Sequence, residues 1–152
     1  MTGGVLVIGY GNVLRTDDGV GWHVAERLSA DPRLAGATVL ACHQLTPELA
    51  LDIIQATFVV LVDADHDQPA GTFSIAPVEP TGGGASGSHQ LDPATLLGLA
   101  AELYGPPASV VAVRVGVHSL AAGDGVSPVV EAALPGLVDA VAQLVQGQIV
   151  HA

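Results

Sequence analysis

The sequence contains no lysine, and four arginines supply all of its permanent positive charge. Against them stand 15 aspartates and glutamates, so the formal net charge is -11. A protein that binds nucleic acid through the phosphates needs clustered basic side chains. We therefore expect no nucleic-acid partner, because an acidic chain is better suited to metal ions or to basic proteins.

Cysteine and long apolar runs are also scarce. The single cysteine, Cys42, excludes an internal disulfide and a zinc site built from cysteines. Mean hydropathy is high at +0.52, but no run of about 18 apolar residues is free of glycine, proline and charge, so we predict no membrane-spanning helix. The first residues lack the basic segment of a signal peptide, and we expect a cytoplasmic protein.

The length of 152 residues predicts one domain, 1–152. Apolar runs ending at glycine or aspartate alternate with segments of helical periodicity. This alternation predicts an α/β protein: a three-layer α/β/α sandwich on a mostly parallel, five-stranded mixed sheet. The predicted strands are 5–10, 38–42, 58–64, 71–78 and 109–117, and the predicted helices are 18–29, 46–54, 93–103 and 127–146. Strand 71–78 follows strand 58–64 through a short, hairpin-like connection, which predicts an antiparallel edge strand.

Polar residues cluster where the predicted strands end, the edge at which open α/β sheets bind ligands. After the first strand, GYGNVLRTDDGVG places Asp17 and Asp18 at a predicted helix N-terminus. One carboxylate there is explained by helix capping. Consecutive helical residues point about 100° apart, so the second carboxylate is expected to face the cleft.

Two further clusters complete a candidate site. Asp63 ends a wholly apolar strand, where an unpaired carboxylate is costly. Asp65 and Asp67 in the same stretch are interpreted as loop-capping residues. His89 follows the glycine-rich segment TGGGASGS at 81–88, predicted to be a flexible surface loop. Two carboxylates and one imidazole from separate loops predict a divalent transition-metal site with an open position.

The choice of histidine stays open. CHQLTPELALDI at 42–53 resembles SHQLDPATLLGL at 88–99, so His43 rivals His89 as a ligand. His118, just beyond the fifth predicted strand, is a third candidate. The remaining histidines, His23, His66 and His151, are interpreted as surface residues.

On these motifs the chain resembles the endopeptidases that mature nickel–iron hydrogenases. GNVLRTDDGVG looks like that family's Gly-Asn, acidic-pair and Gly-x-Gly signature, VVLVDA like its central strand, and SHQL like its histidine motif. The resemblance covers nearly the whole chain and implies an α/β/α sandwich with a five-stranded mixed sheet. Carried over by motif, it implies that Asp18, Asp63 and His89 form the catalytic and metal-binding set, while Asp17 caps the helix. Relatives often have glutamate where this chain has Asp18.

The resemblance also implies a function. Such an endopeptidase removes a C-terminal extension from the hydrogenase large-subunit precursor after nickel insertion, and the metal is the nickel that the precursor carries, although other divalent cations would fit the site. The partner implied is that precursor, with no nucleic acid and no membrane. Which hydrogenase is processed, which bond is cleaved and the oligomeric state do not follow from the sequence.

Two other functions remain open from the residues alone. A nickel carrier without catalysis would use the same three ligands. A dinucleotide-binding domain is suggested by GYGNVL, but Leu14 holds the third glycine position and no acid ends the second strand. The chain has no HExxH and no GxSxG motif, and the adjacent Cys42 and His43 are a poor nucleophile–base pair. Polarisation of the scissile carbonyl by the metal, with metal-bound water, is the remaining interpretation of the cleavage.

Overall fold

Five strands alternate with four helices in the computed structural model, which describes residues 4–81 and 91–150. The strands are β1 (Val5–Tyr10), β2 (Ala37–Cys42), β3 (Phe58–Asp65), β4 (Phe73–Pro77) and β5 (Ser109–Gly116). The helices are α1 (Val20–Ser29), α2 (Leu49–Gln55), α3 (Pro93–Tyr104) and α4 (Pro128–Val150). Residues 82–88 of the predicted glycine-rich loop and His89 fall outside the described residues.

The sheet has the strand order β2-β1-β3-β5-β4. Its first four strands are parallel, and β4 is an antiparallel edge strand. The predicted mostly parallel mixed sheet is therefore confirmed. The implied hairpin between β3 and β4 is wrong, because β4 pairs with β5. The connection after β3 crosses β5 at Gly116, where a Cβ atom would overlap the carbonyl oxygen of Pro69, and so carries the chain to the outer edge.

Side chains alternate between the two faces of the sheet, as the strand period requires. Even positions of β1 and odd positions of β3, including Ile8 and Leu61, form one apolar cluster with α2 and α3. Odd positions of β1 and even positions of β3, including Val7 and Val60, form the other cluster with α1 and α4. Both faces of the central strands are thus covered, which confirms the three-layer sandwich and explains their uninterrupted apolar runs.

Helix α4 extends further than predicted, and its Pro128–Ile149 segment is long and apolar enough to cross a membrane by length and composition. Its inward residues Val130, Leu134, Leu137 and Val141 are at most 1% exposed and pack against α1 and the sheet. The inward face of α4 is thus part of the core.

The helix predicted over 18–29 begins differently. A 3-10 turn covers Thr16–Gly19, and α1 starts at Val20. In contrast, the predicted cap of α3 is confirmed: Asp92 Oδ1 accepts a hydrogen bond from the Thr95 N–H at 2.8 Å, followed by Pro93 in the first turn. The difference at α1 arises from the long-range contacts of Asp17 described below.

Candidate active site

A cleft of about 130 Å³ opens beyond the carboxyl ends of β1 and β3. The cleft is lined by β1 and the turn after it, by the segment after β2, by β3 and by Leu91, just before α3. The described residues that line it are Tyr10, Gly11, Asn12, Arg15, Asp18, His43, Gln44, Leu45, Asp63 and Leu91. Asp18 and Asp63, 45 positions apart in the sequence, thus face one space.

The turn after β1 is built around Gly11 and Asn12. Gly11 has a φ of 154°, and a Cβ atom there would overlap the carbonyl oxygen of Asp18, so only glycine lets the two backbones approach this closely. The Asn12 side chain accepts a hydrogen bond from the Leu14 N–H at 2.9 Å, and the Asn12 N–H donates to Asp18 Oδ2 at 3.0 Å. The turn therefore holds Asp18 at the cleft wall.

Asp17 does not cap the helix, so that prediction is wrong. Its side chain is fully buried and accepts four hydrogen bonds from a loop 101 to 110 residues away. Oδ2 accepts from the His118 N–H at 2.7 Å, the Ser119 N–H at 3.0 Å and the Ser127 hydroxyl at 2.8 Å, and Oδ1 accepts from the Ser127 N–H at 2.6 Å. Asp17 anchors the turn that carries Asp18.

The charge of Asp17 is stabilised by these donors. Burial favours the protonated carboxyl, but the N–H groups of Ser127, Ser119 and His118 and the Ser127 hydroxyl outweigh burial, and the pKa of Asp17 lies below its ordinary value. The neighbouring Thr16 also binds this distant loop, because its Oγ1 donates a hydrogen bond to the Ala121 carbonyl at 2.6 Å.

Asp63 lies within β3 and is partly buried, with its side chain on the face covered by α2 and α3. Burial raises the pKa of Asp63, and the nearby Asp18 carboxylate raises it further. The Tyr10 hydroxyl, the Ala64 N–H and the Arg114 charge act in the opposite direction without cancelling the rise. A partly buried carboxylate beside a second acid is a position where a cation would be favourable.

Tyr10 is a cleft residue that the sequence analysis missed. It ends β1, and the β1–β3 register, whose last pair is Gly9 and Val62, places it beside Asp63. Burial and the Asp63 charge raise the pKa of the phenol. The hydroxyl is close enough to influence the pKa of Asp63, yet the pair falls short of hydrogen-bond geometry, and the buried oxygen has no partner in the described part of the chain. The alternation along β1 puts Tyr10 on the same face as Ile8, but its place beside Asp63 follows only from the β1–β3 register.

The histidines occupy different environments. His43 lines the cleft and is exposed. The side chain of His118 is exposed, and the contact of this residue with Asp17 is made by its backbone. His23 is half-buried, with its ring edge-to-face at 5.4 Å from that of Trp22, so its predicted surface position is wrong, whereas His66 is exposed as predicted. His151, like His89, lies outside the described residues.

Within residues 4–81 and 91–150, no three His, Cys, Asp or Glu side chains are grouped closely enough to hold a metal ion. His43 therefore does not complete a three-ligand site with Asp18 and Asp63 in this arrangement. The interpretation of Asp65 as a loop-capping residue is confirmed, because its carboxylate accepts the Asp67 N–H at 2.9 Å and the Gln68 amide at 3.1 Å.

Solved structures share this architecture. The [NiFe] hydrogenase maturation protease HycI from Thermococcus kodakarensis KOD1 is 25% identical, with a TM-score of 0.76 over 94% of this chain and 92% of its own. The hydrogenase maturating endopeptidase HybD from E. coli is 23% identical, with a TM-score of 0.73 over 91% of this chain and 89% of its own.

A hydrogenase 2 maturation peptidase from a Thaumarchaeota archaeon is 24% identical, with a TM-score of 0.68 over 93% of this chain and 97% of its own. No protein-family model and no curated protein matches the sequence. The structural similarity agrees with the resemblance drawn from the sequence motifs: the chain has the α/β fold of these hydrogenase maturation proteases.

Proposed function

We propose that this chain is an endopeptidase that removes the C-terminal extension of a nickel–iron hydrogenase large-subunit precursor after nickel insertion. The observation that carries the proposal is the shared cleft of Asp18 and Asp63 at the carboxyl ends of β1 and β3, in a fold shared with hydrogenase maturation proteases. The precursor would be met in the cytoplasm.

The substrate's nickel would be recognised by Asp18, Asp63 and His89. Carboxylate and imidazole groups are suitable ligands for a divalent metal with a position left open. The Asn12 N–H holds one oxygen of Asp18 at 3.0 Å and leaves Oδ1 without a hydrogen bond from the described residues, so Asp18 has an oxygen to offer. The assignment of His89 rests on the SHQL motif alone.

The peptide bond would be attacked by water. The described residues that line the cleft include no serine, threonine or cysteine. Cys42 is half-buried, and burial raises the pKa of its thiol, which reduces the thiolate that a nucleophile needs. Nickel in the substrate would supply Lewis acidity, while the side chains of this protein bind and orient the nickel-bearing segment.

The test is to incubate the protein with a nickel-loaded large-subunit precursor and with the same precursor lacking nickel. We expect a shortened product, seen by intact-mass spectrometry, from the loaded precursor only. Asp18→Asn and Asp63→Asn should each abolish processing, and Asp67→Asn, an exposed carboxylate outside the cleft, should process at the wild-type rate.

A nickel carrier would give a different result. It would leave the precursor at full length and transfer its metal, which would contradict the endopeptidase proposal.

A further inference from the structure

The Tyr10 hydroxyl is a buried polar group at the wall of the cleft. Tyr10 is 9% exposed, and its ring belongs to the apolar cluster of Ile8, Leu45 and Leu61. In such a cluster a phenylalanine would pack equally well, and a hydroxyl without a partner costs free energy. Packing therefore explains the ring of Tyr10 but not its oxygen.

Asp63 is the acceptor that the sheet places next to this hydroxyl. Both residues project from the same face of adjacent parallel strands and line the same cleft. On its other side, Asp63 lies opposite Arg114 in the register of β3 and β5. The Arg114 side chain is exposed and forms no ion pair with the described residues. Its charge therefore acts on Asp63 without holding the carboxylate in one orientation. The Tyr10 hydroxyl, by contrast, is a buried donor on a rigid ring.

We propose that Tyr10 is a positioning residue: its hydroxyl donates a hydrogen bond to one oxygen of Asp63 and so turns the other oxygen toward the substrate's nickel. The inference rests on the proposed function of Asp63. Metal-binding carboxylates are commonly oriented by hydrogen bonds from residues that do not themselves bind the metal. Loss of such a bond lowers metal affinity about 10- to 100-fold. Hydrogen bonds at such sites are often long without ligand and shorten when it binds, which fits a hydroxyl that stops short of bonding geometry.

The experiment compares Tyr10→Phe, which removes only the hydroxyl, with Tyr104→Phe, the same change at the exposed end of α3. Binding of Ni²⁺ to the full chain is measured by isothermal titration calorimetry, and thermal unfolding is measured in parallel. We expect Tyr10→Phe to bind Ni²⁺ about 10-fold more weakly with an unchanged or higher Tm, and Tyr104→Phe to bind like the wild type. A purely structural hydroxyl would not produce this separation of affinity from stability.

Two results would overturn the inference. Wild-type Ni²⁺ affinity in Tyr10→Phe would show that the hydroxyl does not orient Asp63. Wild-type Ni²⁺ affinity with a raised KM for the nickel-loaded precursor would show that the hydroxyl contacts the peptide directly. Asp63→Asn separates this failure from failure of the proposed function: if Asp63→Asn binds Ni²⁺ and processes the precursor normally, the proposed site is wrong as a whole.

Discussion

The carboxylates of Asp17 and Asp18 are adjacent in the sequence but lie in different environments. Asp17 is fully buried and accepts four hydrogen bonds from residues His118, Ser119 and Ser127, whereas Asp18 lines the cleft and is held by the Asn12 N–H. The acidic pair therefore combines an internal anchor with an open carboxylate, and the anchor fixes where the open carboxylate lies.

Replacing the anchor should destabilise the fold. Asp17→Asn places an amide NH₂ group among N–H and O–H donors, so we expect the free energy of unfolding at pH 7 to fall by about 3 kcal/mol. Urea unfolding measures this change. Asp67→Asn, at an exposed carboxylate, is the matched control and should leave stability unchanged.

The anchor also predicts a pH dependence with a definite sign. Because the pKa of Asp17 is lowered in the fold, its stabilising contribution is present above the unfolded pKa of about 3.9 and is lost as the pH falls through the folded pKa. The stability gap between wild type and Asp17→Asn should therefore narrow on acidification. A gap of constant size from pH 7 to strongly acidic pH would contradict this account of Asp17.

Asp63→Asn should have the opposite effect on stability. Burial raises the pKa of Asp63, so its charged form costs stability at neutral pH, and this cost disappears as the pH falls below the unfolded pKa. We expect Asp63→Asn to raise Tm at pH 7 by about 2 °C while abolishing processing. A lower Tm of Asp63→Asn at pH 7 would show that the charge of Asp63 stabilises the fold. It would contradict the claim that this carboxylate lowers stability in exchange for function.

Three histidine variants test the choice of imidazole. We expect His89→Ala to abolish processing and Ni²⁺ binding. His118→Ala should behave like the wild type, because only its backbone N–H contacts Asp17. His43→Ala should retain Ni²⁺ binding, since His43 does not group with Asp18 and Asp63. Calorimetry and the processing assay measure both quantities. Normal function in His89→Ala with loss in His43→Ala would show that the metal-binding imidazole is His43, in segment 42–53, and not His89 in the similar segment 88–99.

Gly11→Ala tests the turn that holds Asp18. An added Cβ would overlap the Asp18 carbonyl oxygen, so we expect a loss of stability of about 2 kcal/mol and weaker Ni²⁺ binding. Gly147→Ala in α4, where a Cβ meets nothing within 4 Å, is the control and should stabilise the protein by about 0.5–1 kcal/mol. Equal stability of Gly11→Ala and wild type would show that the turn can relax away from Asp18.

The parts of the fold with strong local signals were predictable. The apolar runs of β1 and β3 are buried on both faces of the sheet, and the Asp92–Pro93 pair caps α3 as its local chemistry predicts. Asp18 and Asp63 were placed at strand ends by pattern alone, and the structure brings them to one cleft.

The predictions that failed concern contacts between segments that are distant in the sequence. The partners of Asp17 are more than 100 residues away, so no local pattern distinguishes this anchor from a helix cap. The pairing of β4 with β5 depends on the crossing at Gly116, which is a property of the assembled sheet. Tyr10 becomes a neighbour of Asp63 only once β1 and β3 are aligned.

The most direct measurement of the central claim is anomalous diffraction at the nickel absorption edge from crystals soaked in Ni²⁺. We predict one strong peak in the cleft, with oxygens of Asp18 and Asp63 and a nitrogen of His89 about 2.0–2.2 Å from the metal, the distances usual for a first-row divalent ion. A nickel peak outside the cleft, or a peak in the cleft without ligands from Asp18 and Asp63, would contradict the account.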